Sequence, residues 1–140
     1  MANRLIILDR DGVINQDSDA YIKSTDEWIP ITGSIEAISI LNNKGYRVAI
    51  ATNQSGISRG YFSLETLQAM HDKLRSLLSM HQATIDYIAF CPHEPKDHCE
   101  CRKPLPGLLF EISRETGIPL NKNVIMVGDS IRDLEAGIKA

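Results

Sequence analysis

The 140-residue chain contains only three cysteines, no long apolar run and no excess of positive charge. Each shortage excludes something. A helix crossing a bilayer needs about 20 apolar residues, and no stretch approaches that; the early run Leu5-Ile6-Ile7-Leu8 also lacks the length and cleavage site of a signal peptide. The expectation is a soluble, cytoplasmic protein with no membrane partner. Fifteen Lys and Arg against eighteen Asp and Glu leave a formal charge of -3, with no broad cationic face for nucleic acid. A small partner fits better. The cysteines, Cys91, Cys99 and Cys101, fall in one short stretch, and an odd number cannot all pair internally as disulfides. Thiolates held by a metal in a reducing compartment are the alternative. No repeat, low-complexity tract or linker divides the chain, so residues 1–140 are expected to form one domain.

What is present has the rhythm of a doubly wound fold. Leu5 to Leu8, Val48 to Ala51, Ile85 to Phe90 and Val124 to Val127 are apolar runs without alternation, as in strands buried on both faces. Between them lie segments of helical period. Ile35, Ile38 and Leu41 end at Gly45; Leu64, Leu67, His71, Leu74 and Leu78 follow the cap Ser63; Leu108, Leu109 and Ile112 end at Gly117. The alternation β-α-β-α-β-α-β predicts a Rossmann-like, doubly wound parallel α/β sheet, which binds ligands beyond the carboxyl ends of its strands.

Every chemistry-bearing segment sits at such an end. "DRDGV" follows the first strand. In an extended segment Asp9 and Asp11 share a face and Arg10 points away, and two carboxylates so placed call for a divalent cation or a shared proton. An ordinary Asp-Gly turn would use the same residues; a calcium loop fits less well, since its fifth position falls on Val13. "ATNQSG" closes the second strand with Thr52 and Asn53, whose side chains and loop N–H groups suit phosphate oxygens as well as they suit a polar turn. "VGDSIRD" closes the fourth with Asp129, a third carboxylate for Mg²⁺ or a helix cap, and Asp133 one turn later. "CRKP" adds Arg102 and Lys103, a basic pair of a kind that is usually solvated. "CPHEPKDHCEC" supplies Cys91, His93, Cys99 and Cys101, four ligands for a closed, structural zinc site. His98 is a less suitable substitute for His93, because it is adjacent to Cys99. Such a zinc would rigidify the segment leading into Arg102 and Lys103.

Taken together, these segments resemble the haloacid dehalogenase superfamily of phosphotransferases, with its D-x-D-G, strand-end Thr or Ser, Lys and G-D-x-x-x-D. The resemblance implies Asp9 as the nucleophile that forms an aspartyl-phosphate and Asp11 as general acid and then base. It implies Mg²⁺ held by Asp9, the backbone carbonyl of Asp11 and Asp129, with Thr52 and Lys103 on the phosphoryl oxygens. Dehalogenases of the superfamily lack the second acid, so Asp11 favours a phosphatase. Only about twenty residues separate the first strand from the next helix, too few for a separate cap domain. Selectivity therefore falls to three loops, Asn15 to Tyr21, Asn53 to Phe62 and Cys91 to Lys103.

With the zinc loop, "DRDGVIN" and "TNQSGISRGYF" are similar to a subgroup containing heptose-bisphosphate and histidinol-phosphate phosphatases. "SGISRGYF" favours the heptose members, which act in lipopolysaccharide and S-layer sugar synthesis; removal of a 7-phosphate from a sugar bisphosphate is then the expected reaction. Asn53, Gln54, Ser55 and Arg102 would contact sugar or phosphate, and Asp17, Ser18, Asp19, Ala20 and Tyr21 would line the sugar pocket. Histidinol phosphate is the alternative substrate, and a zinc-stabilised binding module without turnover the alternative of another class. Relatives continue past the last helix with a further strand and tail, so the expectation is of a fragment whose intact form is a monomer.

Overall fold

The computed structural model describes residues 4–18, 21–94, 99–121, 123–128 and 131–140. Four parallel strands, β1 (Arg4–Leu8), β2 (Tyr46–Asn53), β3 (Tyr87–Cys91) and β4 (Ile125–Val127), form one sheet in the order β3-β2-β1-β4. They alternate with α1 (Ser34–Asn43), α2 (Leu64–Met80), α3 (Gly107–Thr116) and α4 (Ile131–Lys139). The expected elements are present, shifted by a residue or two at their ends.

Unbroken apolar strands follow from two cores. Ile6, Leu8, Val48 and Ile50 pack with Ile35 and Ile38 of α1 and with Leu67, Met70, Leu74 and Leu78 of α2. Their neighbours Leu5, Ile7, Ala49 and Ala51 face the other way, onto Leu108, Leu109 and Ile112 of α3 and Ala136 of α4. Each side chain from Leu5 to Leu8 thus packs on one face or the other, the arrangement of a doubly wound sheet.

Local signals set the ends. Ser63 caps α2, its side chain accepting the Thr66 N–H at 3.1 Å. α3 stops against Gly117. Leu64, assigned above to the apolar stripe of α2, is 41 % exposed, because the first turn overhangs the end of the core. β4 lies at the sheet edge with Ile125 and Val127 partly exposed. Between β1 and α1 the described residues carry the isolated bridges Asp11–Asn15 and Asn15–Pro30 and build no separate cap domain.

Candidate active site

β1 stops at Leu8, and the two carboxylates after it are presented by a turn. The Asp9 N–H still donates to the Val127 carbonyl at 2.9 Å. Beyond it the Arg10 carbonyl accepts the N–H groups of Val13, Ile14 and Asn15 at 3.2, 2.8 and 3.3 Å, winding the chain back on itself. Gly12, at φ 84°, supplies the left-handed step this needs. Asp9 and Asp11 nevertheless line the same cleft, so their shared direction comes from the turn rather than from strand alternation.

Asp9 is deeply set, its side chain 13 % exposed. Its Oδ1 accepts from the Arg10 N–H at 2.8 Å and from Lys103 Nζ at 3.1 Å. Burial pushes its carboxyl up to about 6; the Lys103 ammonium opposes the shift and the Asp133 carboxylate adds to it. The basic pair of "CRKP" departs from the solvated reading, since Lys103 is 3 % exposed. Its Nζ donates to Asp9, to the Ala51 carbonyl at 2.8 Å and to Asp133 Oδ1. Asp133, itself 1 % exposed, joins the cleft through this contact, which spacing alone did not announce. A Cβ on Gly128 would lie 2.1 Å from Asp133 Oδ2, so the strand end passes close beneath this carboxylate.

Thr52, one residue before the end of β2, is almost fully buried, and its Oγ1 accepts from Gln54 Nε2 at 2.9 Å. Gln54 Nε2 also donates to Asp11 Oδ2 at 3.1 Å. The Asn53 side chain is engaged at both ends by the backbone of Lys103, Nδ2 donating to its carbonyl at 3.2 Å and Oδ1 accepting its N–H at 3.0 Å. It therefore fixes the lysine segment, whose Lys103–Pro104 peptide is cis.

These groups line an open cleft of about 260 Å³, with Asp17, Ser18, Tyr21, Ser55, Arg102 and Arg132 at its walls. Thus the expected residues Asp9, Asp11, Asp17, Ser18, Tyr21, Thr52, Asn53, Gln54, Ser55, Arg102 and Lys103 come together, while Asp19, Ala20 and Asp129 lie outside the described residues. The three loops expected to confer selectivity touch one another at the rim. The Tyr21 and Tyr61 rings are 5.1 Å apart, Arg59 stands 5.8 Å from the Tyr21 ring, and Arg59 Nε meets Glu94 Oε1 at 3.2 Å. A buried, raised carboxylate among hard oxygen donors fits a divalent cation such as Mg²⁺.

The second metal set is complete. Cys91, His93, Cys99 and Cys101 offer donor atoms all within 4.8 Å of one another. Cys91 Sγ lies 3.4 Å from Cys99 Sγ and 3.6 Å from His93 Nδ1; Cys101 Sγ lies 3.4 Å from His93 Nδ1. Donors tetrahedral about Zn²⁺, with Zn–S about 2.3 Å, would be about 3.8 Å apart, so a zinc ion fits with little movement. Burial raises the Cys91 and Cys101 thiols, with the two neighbouring sulfurs adding to it for Cys101, while at Cys99 burial is outweighed by hydrogen bonds from the Arg102 backbone and the neighbouring ligands and the thiol falls to about 7, so ionising all three together calls for a cation. Arg102 NH1 donates to the His93 carbonyl at 3.3 Å, tying the cluster to the cleft wall. His98, the substitute ligand, lies outside the described residues.

A doubly wound parallel sheet that gathers two carboxylates, a buried lysine and a strand-end hydroxyl in one open polar cleft has the groups of a hydrolase centred on an aspartate. The chain belongs to the haloacid dehalogenase-like hydrolase family, whose model matches residues 3–140. It is 56 % identical over 136 residues to the D-glycero-beta-D-manno-heptose-1,7-bisphosphate 7-phosphatase of Pseudomonas aeruginosa, covering 97 % of this chain and 76 % of that protein. The enzyme of the same name from Haemophilus influenzae is 40 % identical, with 99 % and 77 % covered. Among solved structures, the D,D-heptose 1,7-bisphosphate phosphatase of B. bronchiseptica, complexed with magnesium and phosphate, superposes with a TM-score of 0.91 at 53 % identity, covering 95 % of this chain and 74 % of that one.

Proposed function

We propose that the protein is a Mg²⁺-dependent phosphatase that removes the 7-phosphate of D-glycero-D-manno-heptose 1,7-bisphosphate, leaving the heptose 1-phosphate. The observation that carries this reading is the Asp9 carboxylate held by Lys103 at the floor of a cleft that Asp11 and Thr52 also line; relatives at 50–56 % identity bear the name of that activity.

In the first step an Asp9 carboxylate oxygen attacks phosphorus, the ester P–O bond breaks, and Asp11 delivers a proton to the departing sugar oxygen. In the second, Asp11 takes a proton from water, which attacks the aspartyl-phosphate and releases inorganic phosphate and free Asp9. Lys103 Nζ and the Thr52 hydroxyl are fixed before substrate arrives, so they stabilise charge on the phosphoryl oxygens with little reorganisation. Asp133 and the Ala51 carbonyl hold that ammonium in place. Mg²⁺, bound by Asp9, the Asp11 backbone carbonyl and Asp129, would supply charge neutralisation on the transferring group. Cys91, His93, Cys99 and Cys101 would hold zinc, which would take no chemical part and would keep the Arg102–Lys103 segment against β2. The sugar would lie toward Asp17, Ser18 and Tyr21, and Gln54, Ser55 and Arg102, which line the same cleft, would contact sugar or phosphate. The catalytic domain acts as a cytoplasmic monomer.

Steady-state kinetics with heptose bisphosphate, fructose bisphosphate and histidinol phosphate test the proposal. The heptose is expected to give the highest kcat/KM; a maximum for histidinol phosphate transfers the enzyme to that reaction. Asp9→Asn should abolish Mg²⁺-dependent hydrolysis while zinc content stays unchanged. Equal background rates for the two proteins would leave a zinc-stabilised binding module.

A further inference from the structure

Arg10 is completely buried among the apolar residues between the sheet and α2. A guanidinium in such a place costs desolvation energy and persists only where a carboxylate and further acceptors meet it. Its Nε donates to Asp11 Oδ1 at 2.8 Å, and NH2 stands 2.7 Å from the same oxygen, close enough for an ion pair though not aligned as a hydrogen bond. NH1 turns toward α2, 3.7 Å from Met70 Sδ and 3.3 Å from His71 Nε2. Since every guanidinium nitrogen is a donor, His71 Nε2 is the acceptor and the imidazole is neutral, with its proton on Nδ1.

The two oxygens of Asp11 are consequently unequal. Oδ1 takes the Arg10 guanidinium and also Asn15 Nδ2 at 2.9 Å. Among the described residues Oδ2 takes one neutral donor, Gln54 Nε2 at 3.1 Å. A proton on Oδ1 would point into N–H groups that already face it, whereas Oδ2 can carry one by turning Gln54 aside.

We infer that Arg10, backed by His71, is a positioning residue of the reaction proposed above: it saturates Asp11 Oδ1 and so assigns all proton transfer to Oδ2. This rests on the phosphatase reading and names a requirement that reading does not contain. Without Arg10 the carboxyl can rotate about its last bond, and the proton is delivered from the wrong oxygen or direction. The defect would be confined to substrates whose leaving group needs protonation.

The test is kcat/KM for a series of aryl phosphates running from p-nitrophenyl to phenyl phosphate, whose phenol leaves with a pKa of about 10. This constant reports only steps up to cleavage of the ester bond, and the series is indifferent to which sugar is the natural substrate. For Arg10→Met we expect phenyl phosphate to lose roughly 10²-fold, the ordinary contribution of a general acid, and p-nitrophenyl phosphate to lose far less, so that dependence on leaving group steepens. Arg10→Lys, which has a point charge and no fork, should restore only part of the loss. His71→Leu should steepen the dependence in the same direction, and His71→Gln, which keeps an acceptor, should not; this pair serves if Arg10→Met fails to fold. A uniform fall across the series in Arg10→Met, or an unchanged dependence in His71→Leu, overturns the inference. A wild type that hydrolyses neither these esters nor heptose bisphosphate overturns the phosphatase reading and this inference with it.

Discussion

Replacing His71 by glutamine should flatten the acid side of the stability profile, and the size of the change follows from where the imidazole sits. His71 is 8 % exposed on α2, and its pKa is lowered from 6.5 to about 3, first by burial and then by the charges of Arg10 and Arg75, with Asp11 pulling weakly the other way. Below 6.5 the unfolded chain binds a proton there that the native chain refuses, so folding loses stability as pH falls. The contribution is fully present above 6.5 and is lost on the way down to about 3. One pKa unit corresponds to about 1.36 kcal/mol, so between about pH 7.5 and about pH 4.5 the loss from this one group is about 2.7 kcal/mol. Glutamine keeps an acceptor for Arg10 NH1 and cannot charge. Urea unfolding of both proteins across that range, taken as the difference between them, cancels the carboxylates and cysteines they share. The gap should move by about 2.7 kcal/mol in favour of the variant at the acid end. A gap constant to within about 0.5 kcal/mol would show that His71 protonates freely in the folded state, refuting the neutral acceptor assigned to it.

Protein purified without chelator should carry one zinc per chain by elemental analysis, and Cys99→Ser should lose it, lower the melting temperature and reduce kcat through a displaced Lys103, since folding of such a loop is coupled to its metal; a zinc-free wild type refutes the site. Gly128→Ala places a methyl group where Asp133 Oδ2 already lies, 2.1 Å away, and backbone and carboxylate must part. The expected cost is about 1–3 kcal/mol of stability by denaturant unfolding, with a fall in kcat exceeding any rise in KM; a variant of wild-type stability and turnover would mean that Asp133 does not hold Lys103 where the chemistry needs it.

Much of the framework was legible because its cause is local. Leu5 to Leu8 reads as a strand buried on both faces, and it is one because alternate residues meet α1 and α2 on one side and α3 and α4 on the other. The cysteine and histidine set that could hold zinc was legible from chemistry, since three thiols and an imidazole so close in sequence have few other uses, and the fold gathers the four donors within 4.8 Å. What escaped was decided by groups distant along the chain. Nothing near "CRKP" announces that Lys103 is buried; its acceptors come from β1, β2 and α4. His71 fell at an apolar position of a helical period, and only the fold sets it 3.3 Å from Arg10. Asn53 lines the cleft as expected, but that both ends of its amide also hold the backbone of Lys103 could not be read from its place at a strand end.

The same long-range contacts explain how two aspartates one residue apart can act differently. A sequence such as Asp-Arg-Asp makes them equivalent in type and nearly so in position; only their surroundings distinguish them. Asp9 is sunk toward Lys103 with the Asp133 carboxylate behind it, so its charge is held poised by burial on one side and an ammonium on the other. That suits a nucleophile whose anion must be available yet poorly solvated. Asp11 stands further out, 23 % exposed, with one oxygen occupied by Arg10 and Asn15 and the other by a single amide that also reaches Thr52. That suits a proton carrier, since one oxygen is immobilised and the other can exchange. The residue between them fixes the division: Arg10 gives its backbone N–H to Asp9 and its guanidinium to Asp11, so a single side chain threaded into the core sets the relation between the two carboxylates. Replacing it should therefore disturb proton delivery before it disturbs phosphorus attack, and the dependence on leaving group reads that order directly.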